Sequence, residues 1–351
     1  MEASTATRSP RRISTGGFQW PAATVIAVGT AALFAISAII EPSSTSHGAI
    51  NGMLPFAAVL AIAAIGQTLV IQQGGIDLSV PGVISLTVVI VTHNPAGDSS
   101  KLAEAILLAY GCAIASGLIA GTIVSRVGIT AIVTTLGMNA LHYGVNLQIS
   151  HGTTATTTES LQNFAEGSFL GIQTPVVIAI VLAALVGLII KRTTIGRRFE
   201  AVGANSRAAR AAGLEPMRYE IGAYVGANLL YCSAGILLAG IVSSPSAFQG
   251  DTYLLPSVAA VVLGGTSLLG GRGSVIATAI GALFISQLDQ FVLTTGVDAA
   301  VQYLVQAGAL AAGVAIYSVP WGRLRERWGS RDRGPGAEAP GDPAAGTPVP
   351  T

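Results

Sequence analysis

"QQGGIDLSVPGVIS", residues 72–85, lies between two apolar runs with almost no polar linker. The run before it is long enough to cross a bilayer, and the run after it continues to residue 93. A double glycine, a carboxylate and a Pro-Gly pair are poor material for one continuous helix. A carboxylate at a membrane edge is costly unless it pairs, caps a helix or faces water. Gly74 and Gly75 can end one helix, Asp77 or Ser79 can cap the next, and Pro81 is tolerated in that helix's first turn. The stretch therefore reads as a tight re-entry, either a turn between two spans or a break within a helix. A second glycine-rich break, "GGTSLLGGRGS" (264–274), separates another pair of apolar runs.

Outward from these breaks the chain stays apolar. Of 351 residues 51% are hydrophobic and 10% charged, and the mean hydropathy of +0.64 is far from that of a soluble domain. The expected fold is all-α, a polytopic membrane protein with broken or re-entrant glycine-rich segments. Ten candidate spans can be read, at 20–40, 54–72, 76–93, 104–124, 129–149, 174–190, 220–243, 254–269, 273–294 and 300–318. Alternation from an inside N-terminus puts 17 of the 18 lysines and arginines on one side, with only Lys101 on the other. Ten spans with both termini cytoplasmic is the simplest topology that does this. It divides the chain into a basic tail (1–19), a membrane domain (20–318) and a Pro/Gly/Ala-rich tail (319–351) expected to be disordered. The first span is longer than a signal-peptide core and is read as a retained helix. The loop 150–173 is the largest external feature.

Several classes fall away on composition. A net charge of +1 and the absence of any basic-aromatic stretch give no reason to expect nucleic-acid binding. Cys112 and Cys232 lie in apolar runs without partner spacing, and the four histidines are scattered, so neither a disulfide framework nor a metal site is indicated. The chain has two lysines, Lys101 before Leu102 and Lys191 before Arg192. Neither precedes the Ser or Thr that a Walker A loop requires. No cofactor is expected on this chain, and it is not expected to be an enzyme.

The charge-rich segment 191–219 contains "KRTTIGRRFEAVGANSRAARAAGLEPMR" (191–218). Asn205 or Ser206 can cap a helix, "RAARAA" favours one, and Gly213 with Pro216 supplies a stop. A helix of about two turns with an alanine face is marginal alone and gains stability by packing. A partner's groove suits it, and a plain interfacial helix is the alternative.

Four stretches here resemble the permease subunits of bacterial ATP-binding-cassette importers of the ribose/simple-sugar type. They are "AIGQTLVIQQGGIDLSV" (64–80), "TTLGMNALHYG" (134–144), "TIGRRFEAVGANSRAARAAGL" (194–214) and "VAAVVLGGTSLLGGRGSVIATAIGALFI" (258–285). The similarity runs from about residue 50 to 318. It implies that the short helix couples the chain to a separate cytoplasmic ATPase, which uses the ATP. Arg197, Asn205, Ala208, Ala209 and Gly213 are the coupling residues so implied. It further implies a second permease copy, identical or related, an extracytoplasmic solute-binding protein, a sugar substrate, and residence in the bacterial cytoplasmic membrane. Three positions depart from the family's pattern: Arg207 where some members carry Glu, Pro81 inserted before Gly82, and Tyr143 where arginine is common.

Polar candidates for the solute pathway are Ser79, Asn139, Asn146 and Gln148, each of which could instead be a hydrogen bonder between helices. Gly74, Gly75, Asp77, Gly264, Gly265, Gly270, Gly271 and Arg272 form the gate or structural motif. Asp77 is expected either to contact Arg272, tying the two breaks together, or only to cap backbone amides. An ion-coupled secondary transporter or a passive facilitator is the competing class. Few acids lie within or beside the spans, Asp77 and Asp289 among them, which is thin for a proton relay.

Overall fold

The computed structural model describes residues 22–298 and, beyond them, positions 300, 301, 304, 307, 308 and 311. The two tails lie outside the described residues, and so, almost entirely, does the expected span at 300–318. Twelve α-helices form the described part: α1 (Ala22–Ile40), α2 (His47–Gln72), α3 (Val80–His93), α4 (Leu102–Thr122), α5 (Ala131–Ser150), α6 (Glu159–Glu166), α7 (Thr174–Arg192), α8 (Thr194–Ala204), α9 (Ser206–Ala211), α10 (Pro216–Ile241), α11 (Leu254–Leu263) and α12 (Val275–Thr294). The only sheet among the described residues is a two-residue antiparallel hairpin, β1 (Ser168–Phe169) with β2 (Ile172–Gln173).

Among the described residues six helical stretches are long and apolar enough to cross a membrane: α1, α2, 99–127 around α4, α7, α10 and α12. α5 has the length, at 20 residues, with a more polar composition. α2 is central, since 83% of its apolar window is buried, whereas α1 is peripheral at 17%. Gly66, Gln67, Thr68 and Gln72 of α2 therefore face protein, and the aliphatic faces of α1 and α7 are left outward. Pro55 lies inside α2 and removes one backbone donor. Gln173 replaces it, its Nε2 donating to the Asn51 carbonyl at 2.9 Å. α4 and α10 touch backbone to backbone along "GLIAG" (117–121). A Cβ on Gly117 would sit 2.6 Å from Val225 Cα, and one on Gly121 would sit 2.8 Å from Ile221 Cα.

Two expected spans are broken, each part irregular chain and part short helix. The segment after α2 turns back and runs without regular structure from Gly75 to Ser79 before α3 starts. Gly82 lies against Asn139, eight residues and so about 12 Å along α5 from its Ala131 end. α3 thus begins well inside the bundle and has 14 residues. From the opposite end, the chain after α10 dips inward without regular helix until Gly250. There its N–H donates to Ser85 Oγ at 2.9 Å, and a Cβ would meet the Pro81 carbonyl at 2.3 Å. α11, of 10 residues, then returns toward the α9 end. The windows 76–93 and 254–269 are as apolar as spans because α3 is buried from Val80 to Thr92 and α11 is buried over most of its length. Non-helical backbone at this depth is tolerated when protein surrounds it.

Candidate functional site

Segment 191–218 folds as two helices where one was expected. Thr193 caps α8, its hydroxyl accepting from Gly196 N at 3.1 Å, and Phe199 and Val202 are buried. In α9, Asn205 Oδ1 accepts from Ala208 N at 3.0 Å. The helix stops at Gly213, φ +82°, with Leu214 N donating to the Ala209 carbonyl at 3.0 Å. Arg197, Ser206, Arg207, Ala208, Arg210 and Ala211 are exposed, but Ala209 is 5% exposed. The alanine face is split: Ala208 is presented outward and Ala209 holds the helix to its own chain. Among the described residues the ion pairs are Lys191–Glu200 (2.5 Å) and Arg218–Glu215 (2.7 Å), both within or at the edge of this segment.

Behind α9 three backbones meet with no side chain between them. Gly271 N donates to the Gln72 carbonyl at 2.8 Å. A Cβ at Gly203 would lie 2.0 Å from that same oxygen, one at Gly270 2.7 Å from the Gly203 carbonyl, and one at Gly271 2.5 Å from Ala204 Cα. Gln73 Nε2 also donates to the Phe199 carbonyl at 3.0 Å. The end of α8, the end of α2 and the 264–274 turn thus form one junction. That turn is closed by Ser267 N donating to the Arg272 carbonyl at 2.9 Å. Gly264 presses on α12, where a Cβ would be 2.7 Å from Thr278 N, and Gly265 ends α11 at φ +74°. Gly74, at φ +82°, ends α2 in the same manner, and Gly75 fits under the Tyr224 hydroxyl.

The expected contact between Asp77 and Arg272 is absent. Asp77 is fully buried and Arg272 exposed, so the breaks are tied by glycine backbone and not by opposite charges. The Asp77 carboxylate folds back on its own chain, accepting from Ser79 N (2.8 Å) and Ser79 Oγ (2.6 Å). Gln67, with its amide turned to satisfy both partners, pairs with the Asp77 backbone N–H and C=O at 3.3 Å each and donates to the Tyr231 hydroxyl at 2.9 Å. Around the start of α3, Leu78 N donates to Thr135 Oγ1 (2.9 Å) and Gly82 N to Asn139 Oδ1 (2.8 Å). Donor and acceptor pairs are each four residues apart, so α5 supplies two acceptors in register to amides that precede the α3 ladder. Two of the motif stretches quoted above, 64–80 and 134–144, are therefore bound to each other.

Ser79, Asn139 and Asn146, read as pathway residues, all make intrachain bonds. Asn146 is buried, with its amide donating to the Ala247 carbonyl. Of the four, Gln148 alone is fully on the exposed face of α5. Sequence reasoning passed over Thr135, Gln67, Gly203 and the segment 246–251. Turn and cap signals do not flag any of them; the useful signal was the i, i+4 spacing of Thr135 and Asn139 against Leu78 and Gly82.

Two helix breaks entering a multi-pass bundle from opposite ends, with a capped short helix displayed at one end, define a membrane protein of the discontinuous-helix transport class. Residues 49–314 match the family described as branched-chain amino acid transport system / permease component, and the chain belongs to that family. It is 35% identical over 294 residues to the ribose import permease RbsC of Escherichia coli (strain K12), covering 81% of this chain and 91% of that protein. It is 31% identical over 338 residues to the galactofuranose transporter permease YtfT of the same strain, covering 93% and 97%. The fructose import permease FruF of Bifidobacterium longum is 33% identical over 258 residues, covering 72% of each. No solved structure matches the chain.

Proposed function

We propose that this chain is the membrane-spanning subunit of a sugar importer driven by a separate ATPase, with α9 as the element that ATPase grips. The observation that carries this is the construction of α9. Six residues with a side-chain cap, a glycine stop and an exposed Ser/Arg/Ala surface are presented at the bundle end, on top of the glycine junction. A helix this short gains its stability from packing. Ala209 and the junction hold one side, and the ATPase cleft would hold the other.

The charge bias makes the α9 end cytoplasmic and places both termini there, in a bacterial cytoplasmic membrane. Two copies, identical or related, enclose the pathway, and an extracytoplasmic binding protein delivers the solute. ATP binding closes the ATPase, α9 moves with it, and the junction passes that motion to both breaks. Sugar is the favoured solute class because ribose, galactofuranose and fructose permeases are among the relatives covering most of the chain.

Co-purification tests the docking step. Ala208→Asp places a charge on the exposed face, and the ATPase should be lost from the purified complex while the permease inserts and accumulates normally. Wild-type recovery of the ATPase with Ala208→Asp would refute α9 as the docking element.

A further inference from the structure

At the place where the two broken segments meet, a group of side chains remains that neither the coupling path nor the packing uses. The Tyr143 hydroxyl donates to the Asp251 carboxylate. The Phe248 ring stands edge-on to Tyr143, with centroids 5.2 Å apart and planes at 85°. Phe248 is 38% exposed, Asp251 is exposed, and Tyr143 is half-buried. Tyr143 is twelve residues along α5, about 18 Å from the Ala131 end and more than half-way through a hydrocarbon core of about 30 Å.

An exposed carboxylate at that depth cannot face lipid, and intramembrane acids turn to the bundle interior or to a water-filled space. The outward faces of α1 and α7, with Val28, Ile36, Ile39, Val181, Leu185 and Leu188, show what lipid contact looks like in this chain. The Tyr143–Asp251 side of α5 is different in kind. Neither α5 nor the stretch 242–253 contains a lysine or arginine, so nothing there would hold an anion. Instead the surface offers an aromatic ring with a free flank, a carboxylate with unused lone pairs steadied by a phenol, and the exposed hydroxyl residues Ser243, Ser244 and Ser246. Hydroxyl groups of a ligand can donate to the carboxylate, and C–H groups of a ring can lie on the negative π-face.

We infer that Phe248, Tyr143 and Asp251 form a solute-contact site for a neutral polyhydroxylated ring, a furanose or pyranose, at the meeting point of the two broken segments. The inference rests on the sugar-importer reading and adds to it the position and the residues. It also assigns the departure at Tyr143 a role: the phenol orients the carboxylate without neutralising it as an arginine would.

Cysteine labelling of the full-length chain in spheroplasts tests it. In a background with Cys112→Ser and Cys232→Ala, Phe248→Cys is treated with the membrane-impermeant cationic reagent trimethylammonioethyl methanethiosulfonate. Ser246→Cys reports the same space should Phe248→Cys fail to accumulate. The expected result is modification from water, slowed at least threefold by a mixture of D-ribose, D-fructose and D-galactose at high millimolar concentration and unaffected by choline chloride of equal osmolality. A thiol that does not react would overturn the aqueous placement. Reaction at the same rate with and without the sugars would overturn the ligand assignment, as would protection by choline alone. The labelling needs no ATPase, so its failure is distinguishable from failure of the importer reading, which co-purification decides separately.

Discussion

Gly203→Ala adds one methyl group at the most crowded point of the junction, and its effect can be worked from the distances. The new Cβ would lie 2.0 Å from the Gln72 carbonyl oxygen and 3.2 Å from Gly271 N, and both neighbours are backbone. A separation of at least 3.0 Å needs a shift of about 1 Å. The methyl is wedged between the donor and acceptor of the 2.8 Å Gly271–Gln72 bond. Losing that bond costs about 1 kcal/mol, and overpacking adds about 1–3 kcal/mol, for a total of roughly 2–4 kcal/mol. At about 2 °C per kcal/mol for a large chain, the purified variant should melt roughly 4–8 °C below wild type. Gly144→Ala is the control: no atom lies within 4 Å of its Cβ position. In mid-helix that change should be neutral or stabilising by about 0.5–1 kcal/mol. Thermal unfolding of the detergent-solubilised protein, followed by intrinsic fluorescence, measures both. A Gly203→Ala protein melting with wild type would refute the tight junction and with it the proposed route from α9 to the breaks.

Other substitutions separate the remaining parts. Ala209→Asp should reduce folded yield because that side chain is inward, whereas Ala208→Asp should leave yield and melting unchanged, as read by size-exclusion chromatography of the solubilised protein. Gly121→Val should lower stability by about 1–3 kcal/mol or more, since its Cβ would already press on Ile221 Cα at 2.8 Å; unchanged melting would contradict the close α4–α10 packing. Asp77→Asn keeps an acceptor for Ser79 and should be tolerated far better than Asp77→Ala, which strands a buried N–H at about 1–3 kcal/mol. Arg272→Asp should not rescue Asp77→Arg in a growth or uptake assay, and rescue would restore the charge pairing that the structure lacks.

The long helices were legible because apolar runs of 19 to 29 residues have few other uses. The half-helices were not, because hydropathy measures what surrounds a segment. α3 is as apolar as a span, although protein and not lipid covers it. The glycine pairs announced that something reverses at 74 and 271, and the αL angles of Gly74 and Gly271 agree with that. Which partner each turn meets depends on tertiary contact, and the sequence left Asp77 open between a pair with Arg272 and a backbone cap, of which the structure has the cap. Opposite signs at Asp77 and Arg272 suggested a pair, whereas burial of one and exposure of the other excludes it. The α9 cap and stop could be read from Asn205 and Gly213, being local. The inward turn of Ala209 could not, since neighbouring alanines carry no sign of direction.

The most direct measurement is ATP hydrolysis by the reconstituted assembly. The chain, its ATPase and the solute-binding protein carrying its native ligand are combined in liposomes, with wild-type chain or Ala208→Asp. Hydrolysis should rise when the liganded binding protein is present on the face opposite α9, should stay at background with Ala208→Asp, and should be absent from the chain alone. Solute accumulation driven by an imposed proton gradient, with neither ATPase nor ATP present, would contradict the account.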